Sequence, residues 1–267
     1  MQKMPTEKST VESFARTVTL PLLLDIDDKV TLQGTGTLFK IAGQHMVVTA
    51  RHVFDDIPDL EKFAFPEAPK GGAIHTFGQS VVVKPTSPNI DVAVILLNDP
   101  ATVERLSKAW QFLSLANIAD PAVNAPDGHF FVAGYPVSMT KPVGGWLSGG
   151  FVTAYTQRIP DIPAEAELPV SAELDLFFDY RKTATVESGA EIATPKLPGV
   201  SGAAIWQAKE IDATAIWTPE AAFSIVGVQS SYLHSKYIRA KSWWAVAKLL
   251  EQTDANLAAA VRRELTI

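Results

Sequence analysis

From Val18 to Gln229 the chain is a succession of short apolar runs, rich in Val, Leu, Thr and Phe, broken at near-even spacing by Gly, Pro and Asp. This rhythm predicts an all-β fold, a barrel or a sandwich, because an alternating α/β chain would carry helical-period stretches between its strands. Val18 to Ile26 and Thr31 to Ile41 read as a hairpin about Asp25-Ile26-Asp27-Asp28. Within the second run, the two glycines of Gly34-Thr35-Gly36-Thr37 predict a bulge or the close approach of another backbone. Gly43-Gln44 is the next turn, and His45 to Thr49 the next strand, leading into Ala50-Arg51-His52-Val53-Phe54. The prolines and acidic residues from Asp55 to Gly72 read as a long surface loop. Strands resume at Val81 to Val83 and Val92 to Leu97.

Asn98 to Asn124 is mixed in texture, with a helical turn expected near Val103 to Trp110, and is the candidate linker. A second set of strands follows at His129 to Ala133, Gly150 to Thr156, Leu174 to Tyr180, Ala203 to Trp206 and Phe223 to Gln229. The two ends have helical character. Ser9-Thr10-Val11-Glu12 has capping-box spacing and predicts a short helix through Arg16. Trp243, Val246, Ala247 and Leu250 fall at i, i+3, i+4 and i+7, and Leu257, Val261 and Leu265 mark a second stripe. These stripes predict helices docked on the domain, in preference to a partner-binding face at Trp243 and Trp244.

Composition narrows the function classes. At 267 residues and 47% hydrophobic, the chain can bury a core without a disulfide or metal staple. It has no cysteine, which excludes disulfides, zinc thiolate sites and a cysteine nucleophile. The formal charge of −6 is spread along the chain, so no phosphate-backbone footprint and no nucleic-acid partner are expected. No apolar leader or membrane span is legible, and the expected location is cytoplasmic.

The chemistry centres on Pro198-Gly199-Val200-Ser201-Gly202-Ala203. Glycines around a serine allow a tight turn that aims the hydroxyl outward and leaves the N–H groups of Gly199 and Ser201 to face an oxyanion. Such a serine needs a base, and the base needs a carboxylate to hold its tautomer. Of the five histidines, His45, His75, His129 and His234 sit singly in strands or loops. His52 alone follows directly on an apolar strand, where a side chain can project from a barrel rim into a cleft. Asp91 sits at the mouth of the buried run Val92 to Leu97 and must be paired or hydrogen-bonded, whereas Asp99 reads as a turn residue.

Thr49-Ala50-Arg51-His52-Val53, Asp91-Val92-Ala93-Val94 and Gly199-Val200-Ser201-Gly202, in that order, resemble the chymotrypsin-like (trypsin-like) serine peptidases, whose His, Asp, Ser order sets them apart from subtilisins and α/β-hydrolases. Gly34-Thr35-Gly36-Thr37-Leu38-Phe39 extends the likeness, and Gly134-Tyr135-Pro136 resembles a segment common in the family's bacterial branch, so the resemblance as a whole is to bacterial intracellular members. The resemblance implies two six-stranded antiparallel β-barrels with a helical C-terminal tail. Its domains would be an N-terminal extension at 1–17, a first barrel at 18–122, a second at 123–238 and C-terminal helices at 239–267.

It also implies a serine endopeptidase acting on protein or peptide substrates, with no metal and no cofactor. His52 would be base and then acid, Asp91 its orienter, Ser201 the nucleophile, and the N–H groups of Gly199 and Ser201 the oxyanion hole. Ser230 and Tyr232 would pair with the substrate backbone as an added strand. Gly202-Ala203-Ala204 departs from the family's Gly-Gly-Pro, which keeps an inactive binding module or scaffold in view, and an esterase on the same triad is a third reading. The segment Thr194 to Pro198 carries no acidic residue, so preference for Arg or Lys is not implied, while His234 and Lys236 near the presumed pocket wall suggest tolerance of acidic or polar side chains. Val200 replaces the aspartate that pairs with a newly cut N-terminus in trypsin-like zymogens. The chain is therefore expected to be competent as made, or to be gated by a regulatory partner or ligand that orders Glu187 to Val200.

Overall fold

The computed structural model describes residues 7–265 apart from 27–28, 56, 58–59, 88, 120–127, 144–145, 186–188 and 210–215. The chain opens with helix α1 (Glu7–Val18) and enters the strands β1 (Thr19–Ile26), β2 (Lys29–Ile41), β3 (Gln44–Thr49), β4 (Phe63–Ala68), β5 (Gly71–Thr76), β6 (Ser80–Val83) and β7 (Ala93–Leu97). Helix α2 (Pro100–Ala109) follows, then β8 (His129–Gly134), β9 (Thr140–Val143), β10 (Trp146–Gly149), β11 (Val152–Ile159), β12 (Asp175–Asp179), β13 (Thr183–Thr185), β14 (Glu191–Ala193) and β15 (Ala204–Ala208). The short helix α3 (Pro219–Ala222), β16 (Phe223–Leu233), β17 (Tyr237–Ser242) and helices α4 (Trp243–Thr253) and α5 (Ala255–Glu264) complete it. All pairing between the named strands is antiparallel.

The second half closes as a six-stranded barrel in the order β11-β12-β17-β16-β15-β8. In the first half a second six-stranded barrel is not shown. Its strands lie in a nine-stranded sheet, β6-β7-β3-β2-β1-β4-β5-β10-β9, because the outer edge of β5 is taken by β10, with Trp146 opposite Ala73. The sheet is nonetheless curled. Phe65 of β4 and Ile95 of β7, with three strands between them in the order, meet in one buried cluster with Leu20, Leu38, Val47 and Trp110.

Several sequence expectations need correction. Asp55 to Gly72 is not all loop: Phe63 and Phe65 bury completely enough to make β4, and Pro66 is tolerated there beside a register shift. Asp99 is the N-cap of α2 and accepts hydrogen bonds from the N–H groups of Ala101 and Thr102. The candidate linker is part of the fold, since Leu106 and Trp110 bury in the first-sheet cluster; residues 120–124 of that span lie outside the described residues. The barrel's sixth strand, β17, went unread because Arg239 and Lys241 interrupt its apolar pattern. Both are buried, and both pair with Asp175 of β12, at 2.8 and 2.6 Å.

A second cluster joins the two halves. It takes Phe39, Met46 and Val48 from the first sheet, Phe131, Trp206 and Ile225 from the barrel, and buried faces of α1, α4 and α5. Phe14 of α1 meets Trp206 edge-on at 5.8 Å, and Trp243 packs on Phe39 at 4.7 Å. The aromatic stripe of the tail is thus core, as its helical spacing implies. The N-terminal helix starts earlier than its capping-box signal, at Glu7, and is wedged into this cluster by Val11, Phe14, Ala15 and Val18.

Candidate active site

His52 leaves β3 on a single 3-10 turn, Arg51–Phe54, whose buried Val53 and Phe54 fix it to the first-sheet core. Asp91 stands two residues before β7, the neighbour of β3, so the sheet brings the two side chains together. The carboxylate holds the histidine twice: Oδ1 accepts the His52 backbone N–H at 2.9 Å, and Oδ2 meets ring Nδ1 at 2.7 Å. With Nδ1–H donating to a carboxylate, the other nitrogen, Nε2, is left as the basic one. The His52 side chain keeps 39% of its surface exposed against 20% for Asp91, so the ring is reachable from solvent while its partner is shielded.

The electrostatics follow from this pairing. Burial pulls the His52 imidazole toward neutrality, but the hydrogen bond and charge of Asp91, with Asp55 behind, outweigh it and hold its pKa above the usual histidine value. Burial likewise pushes the Asp91 carboxyl up, and the hydrogen bonds and charge of His52 overcome that, leaving it below the ordinary carboxylate range.

Ser201 is carried by the turn between Leu197 and β15. Gly199 and Gly202 have φ of +94° and +93°, which only glycine adopts without strain. Three successive peptide units of this turn are anchored through their carbonyls. The N–H of Val137 donates to Pro198 O at 2.7 Å, the Thr35 hydroxyl to Gly199 O at 2.7 Å, and the N–H of Ala203 to Val200 O at 2.9 Å. In a planar trans peptide the N–H points opposite to the C=O. Anchoring Pro198 O and Val200 O therefore turns the N–H groups of Gly199 and Ser201 away from Val137 and Ala203, and among the described residues neither has a hydrogen-bond partner.

The same turn is fastened to the first sheet. The Thr35 N–H donates to Ser201 O at 2.8 Å, and Thr49 Oγ1, three residues before His52, donates to Thr35 O at 2.7 Å. Gly34 is needed for this approach, since a Cβ there would stand 2.7 Å from Val53 Cγ2 and 3.0 Å from Ser201 O. Both readings of the Gly34-Gly36 pair hold, because the β1–β2 register also shifts between Leu22 and Leu23. Gly134 closes the packing from the barrel side, its absent Cβ leaving room for Val200 Cγ1 and Thr35 Oγ1. Val200 is fully buried in an apolar cluster with Leu197, Tyr180 and Ile238.

His52 and Asp91 are thus brought into contact, and Ser201 is seated at the end of the sheet that carries them. The third link is not formed: among the described residues neither the Ser201 hydroxyl nor Nε2 of His52 has a hydrogen-bond partner.

Ser230 and Tyr232 lie within β16, at and beyond a register shift. Ser230 is buried with its hydroxyl donating to Arg239 O at 3.3 Å, while Tyr232 is half-buried and meets Tyr180 edge-on at 6.2 Å. Pairing of β15 with β16 ends at Val228 and continues only through the turn, where Gly202 N–H donates to Gln229 O. Beyond Gln229 that edge of β16 has no partner strand among the described residues. Lys236 is engaged by Glu165 at 2.9 Å, and His234 is exposed with its ring near that of Tyr180. Of the loop expected to be gated, 187–188 lie outside the described residues. Thr35, which touches Gly199 and Ser201, was not singled out from sequence, where its flanking glycines carried the signal.

No protein-family model matches the chain, and no curated protein does. Among solved structures, the chain is similar to one titled for aromatic interactions that drive the coupled folding and binding of the intrinsically disordered Sesbania mosaic virus VPg protein. The two share 13% identity over 85% of this chain and 87% of that one, at a TM-score of 0.45. At that level the likeness bears on neither activity nor partners.

Proposed function

We propose that the chain is a serine hydrolase of the chymotrypsin-like kind, an endopeptidase acting on protein or peptide substrates. The observation that carries this reading is the conjunction at one sheet end of a carboxylate-held histidine and a serine turn whose two N–H groups have no partner among the described residues. On this reading Ser201 Oγ attacks the substrate carbonyl carbon as its proton passes to Nε2 of His52. The carbonyl oxygen takes the negative charge and is met by the N–H groups of Gly199 and Ser201. Collapse of the tetrahedral intermediate expels the amine, which takes the proton from His52, and leaves an acyl ester on Ser201. Water, deprotonated by His52, then releases the acid. Asp91 keeps the ring in its basic tautomer and stabilises the imidazolium.

The β15-side edge of β16 beyond Gln229, which has no partner strand among the described residues, supports a peptide substrate adding there as a strand. The curled first sheet is, on this reading, the counterpart of the family's first barrel, and the lack of cysteine fits a reducing, cytoplasmic setting. Buried Val200 supports activity without a cut N-terminus, since an inserted ammonium would find no counter-charge in its apolar cluster.

The test is hydrolysis of p-nitrophenyl esters and of a fluorescein-labelled casein by wild type, His52→Ala and Ser201→Ala. Both substitutions should abolish both activities and leave the circular dichroism spectrum unchanged. The missing Ser201–His52 hydrogen bond favours a second reading, a binding module without turnover, in which wild type would hydrolyse neither.

A further inference from the structure

We propose that Thr35 is a positioning residue for the oxyanion hole, an inference that rests on the catalytic reading of Ser201. Two of the three carbonyl anchors on the nucleophile turn, at Pro198 and Val200, come from backbone N–H groups that only proline would remove. The anchor on the middle unit is a side chain, the Thr35 hydroxyl. That unit, Gly199–Val200, links the two peptides whose N–H groups would face the oxyanion, so its orientation sets their separation and mutual angle. It is pinned at both ends, by Thr35 Oγ1 on its carbonyl and by Val200 N–H donating to Leu197 O at 2.8 Å.

Thr35 is suited to this task by its own constraints. It is fully buried, and its hydroxyl is committed at both of its roles, donating to Gly199 O and accepting the N–H of Tyr135 at 3.3 Å. Its backbone is committed too, through its N–H to Ser201 O and its C=O to Thr49 Oγ1. As a β-branched residue it has a restricted χ1, so the hydroxyl is held where the strand puts it. One residue of the first sheet therefore couples the serine turn and the Gly134-Tyr135 end of β8 through its hydroxyl, and the histidine-bearing strand end through its backbone carbonyl.

The test compares Thr35→Val, which keeps the shape and removes the hydroxyl, with Thr35→Ser, which keeps the hydroxyl. Removing a whole oxyanion donor costs about 10² to 10³ in kcat. Loosening the pair by loss of one anchor should cost less, about 10- to 100-fold, with KM for a p-nitrophenyl ester changed by less than about threefold. The serine variant should recover kcat to within about threefold of wild type. Independently of turnover, 15N amide signals of Gly199 and Ser201 should broaden in the valine variant and stay sharp in the serine variant. If the valine variant fails to fold, Thr35→Ala replaces it with the same expectations. Unchanged kcat and sharp amide signals without the hydroxyl, or a serine variant as impaired as the valine one, would overturn the proposal. A wild type that neither hydrolyses ester nor labels at Ser201 refutes the catalytic reading instead, and the amide signals then decide the role of Thr35 alone.

Discussion

Gly199→Ala puts a methyl group where the turn has no room for one. The backbone there sits at φ +94°, which costs an L-residue about 1–2 kcal/mol. The new Cβ would stand 2.7 Å from Tyr135 O and 2.9 Å from both Val137 N and Leu32 Cδ2. Two of these three are backbone atoms and cannot swing aside. The cheapest relief is rotation of the Pro198–Gly199 peptide, which abandons the Val137 N–H to Pro198 O bond, about 1 kcal/mol net. The total, about 2–3 kcal/mol, is within the 5–15 kcal/mol stability typical of a domain, so the protein should fold with Tm lowered by about 5–10 °C. Rotation also replaces a donor by a carbonyl at the proposed oxyanion position, so kcat should fall at least about 10² to 10³-fold. Steady-state ester hydrolysis alongside a thermal melt reads both effects. A variant with the expected drop in Tm but kcat within about threefold of wild type would refute a catalytic part for the Gly199 N–H.

Asp91→Asn should lower kcat about 10⁴-fold, the scale of the same exchange in a Ser-His-Asp triad, because an amide can donate to Nδ1 and fix the wrong tautomer. In wild type, kcat/KM should rise with pH through an ionisation above 6.5, since on the proposed mechanism the neutral ring is the base and Asp91 holds its pKa up; a profile flat from pH 5 to 9 contradicts this. The sign for stability is opposite for the two partners. The raised His52 pKa contributes stability that is full below about 6.5 and is lost as pH rises through its folded value, whereas the lowered Asp91 pKa contributes stability above the usual carboxylate range that is lost on acidification. Asp175→Asn leaves Arg239 and Lys241 buried without their carboxylate, and denaturant titration should show a loss of about 3–5 kcal/mol; a loss under about 1 kcal/mol would mean that neighbouring carbonyls alone suffice.

What the sequence yielded was whatever repeats along the chain or stands in a short motif. The strands β1 to β3, β7 and β8 carry apolar runs and were legible, as were the tail helices from their i, i+3, i+4 and i+7 spacing. β17 was not, because its buried Arg239 and Lys241 are satisfied by Asp175, more than sixty residues earlier, and no local pattern announces that pairing. β4 was masked by Pro66 and the acidic residues around it, although Phe63 and Phe65 decide its fate by burial. Closure is a property of which edges meet: the sequence shows a second set of strands, but not that β10 takes the edge of β5. His52, Asp91 and Ser201 stood out through flanking residues and order. Thr35 did not, because its importance lies in a contact with Gly199 across 164 positions.

The most direct measurement is fluorophosphonate labelling of purified, uncleaved protein, followed by intact mass and peptide mapping. Wild type should gain one adduct, on Ser201, without losing residues from its N-terminus. Ser201→Ala should gain none, and His52→Ala should label at least about 10³-fold more slowly. Wild type that gains no adduct, a Ser201→Ala variant that labels as fast as wild type, or labelling confined to N-terminally trimmed protein would contradict the account.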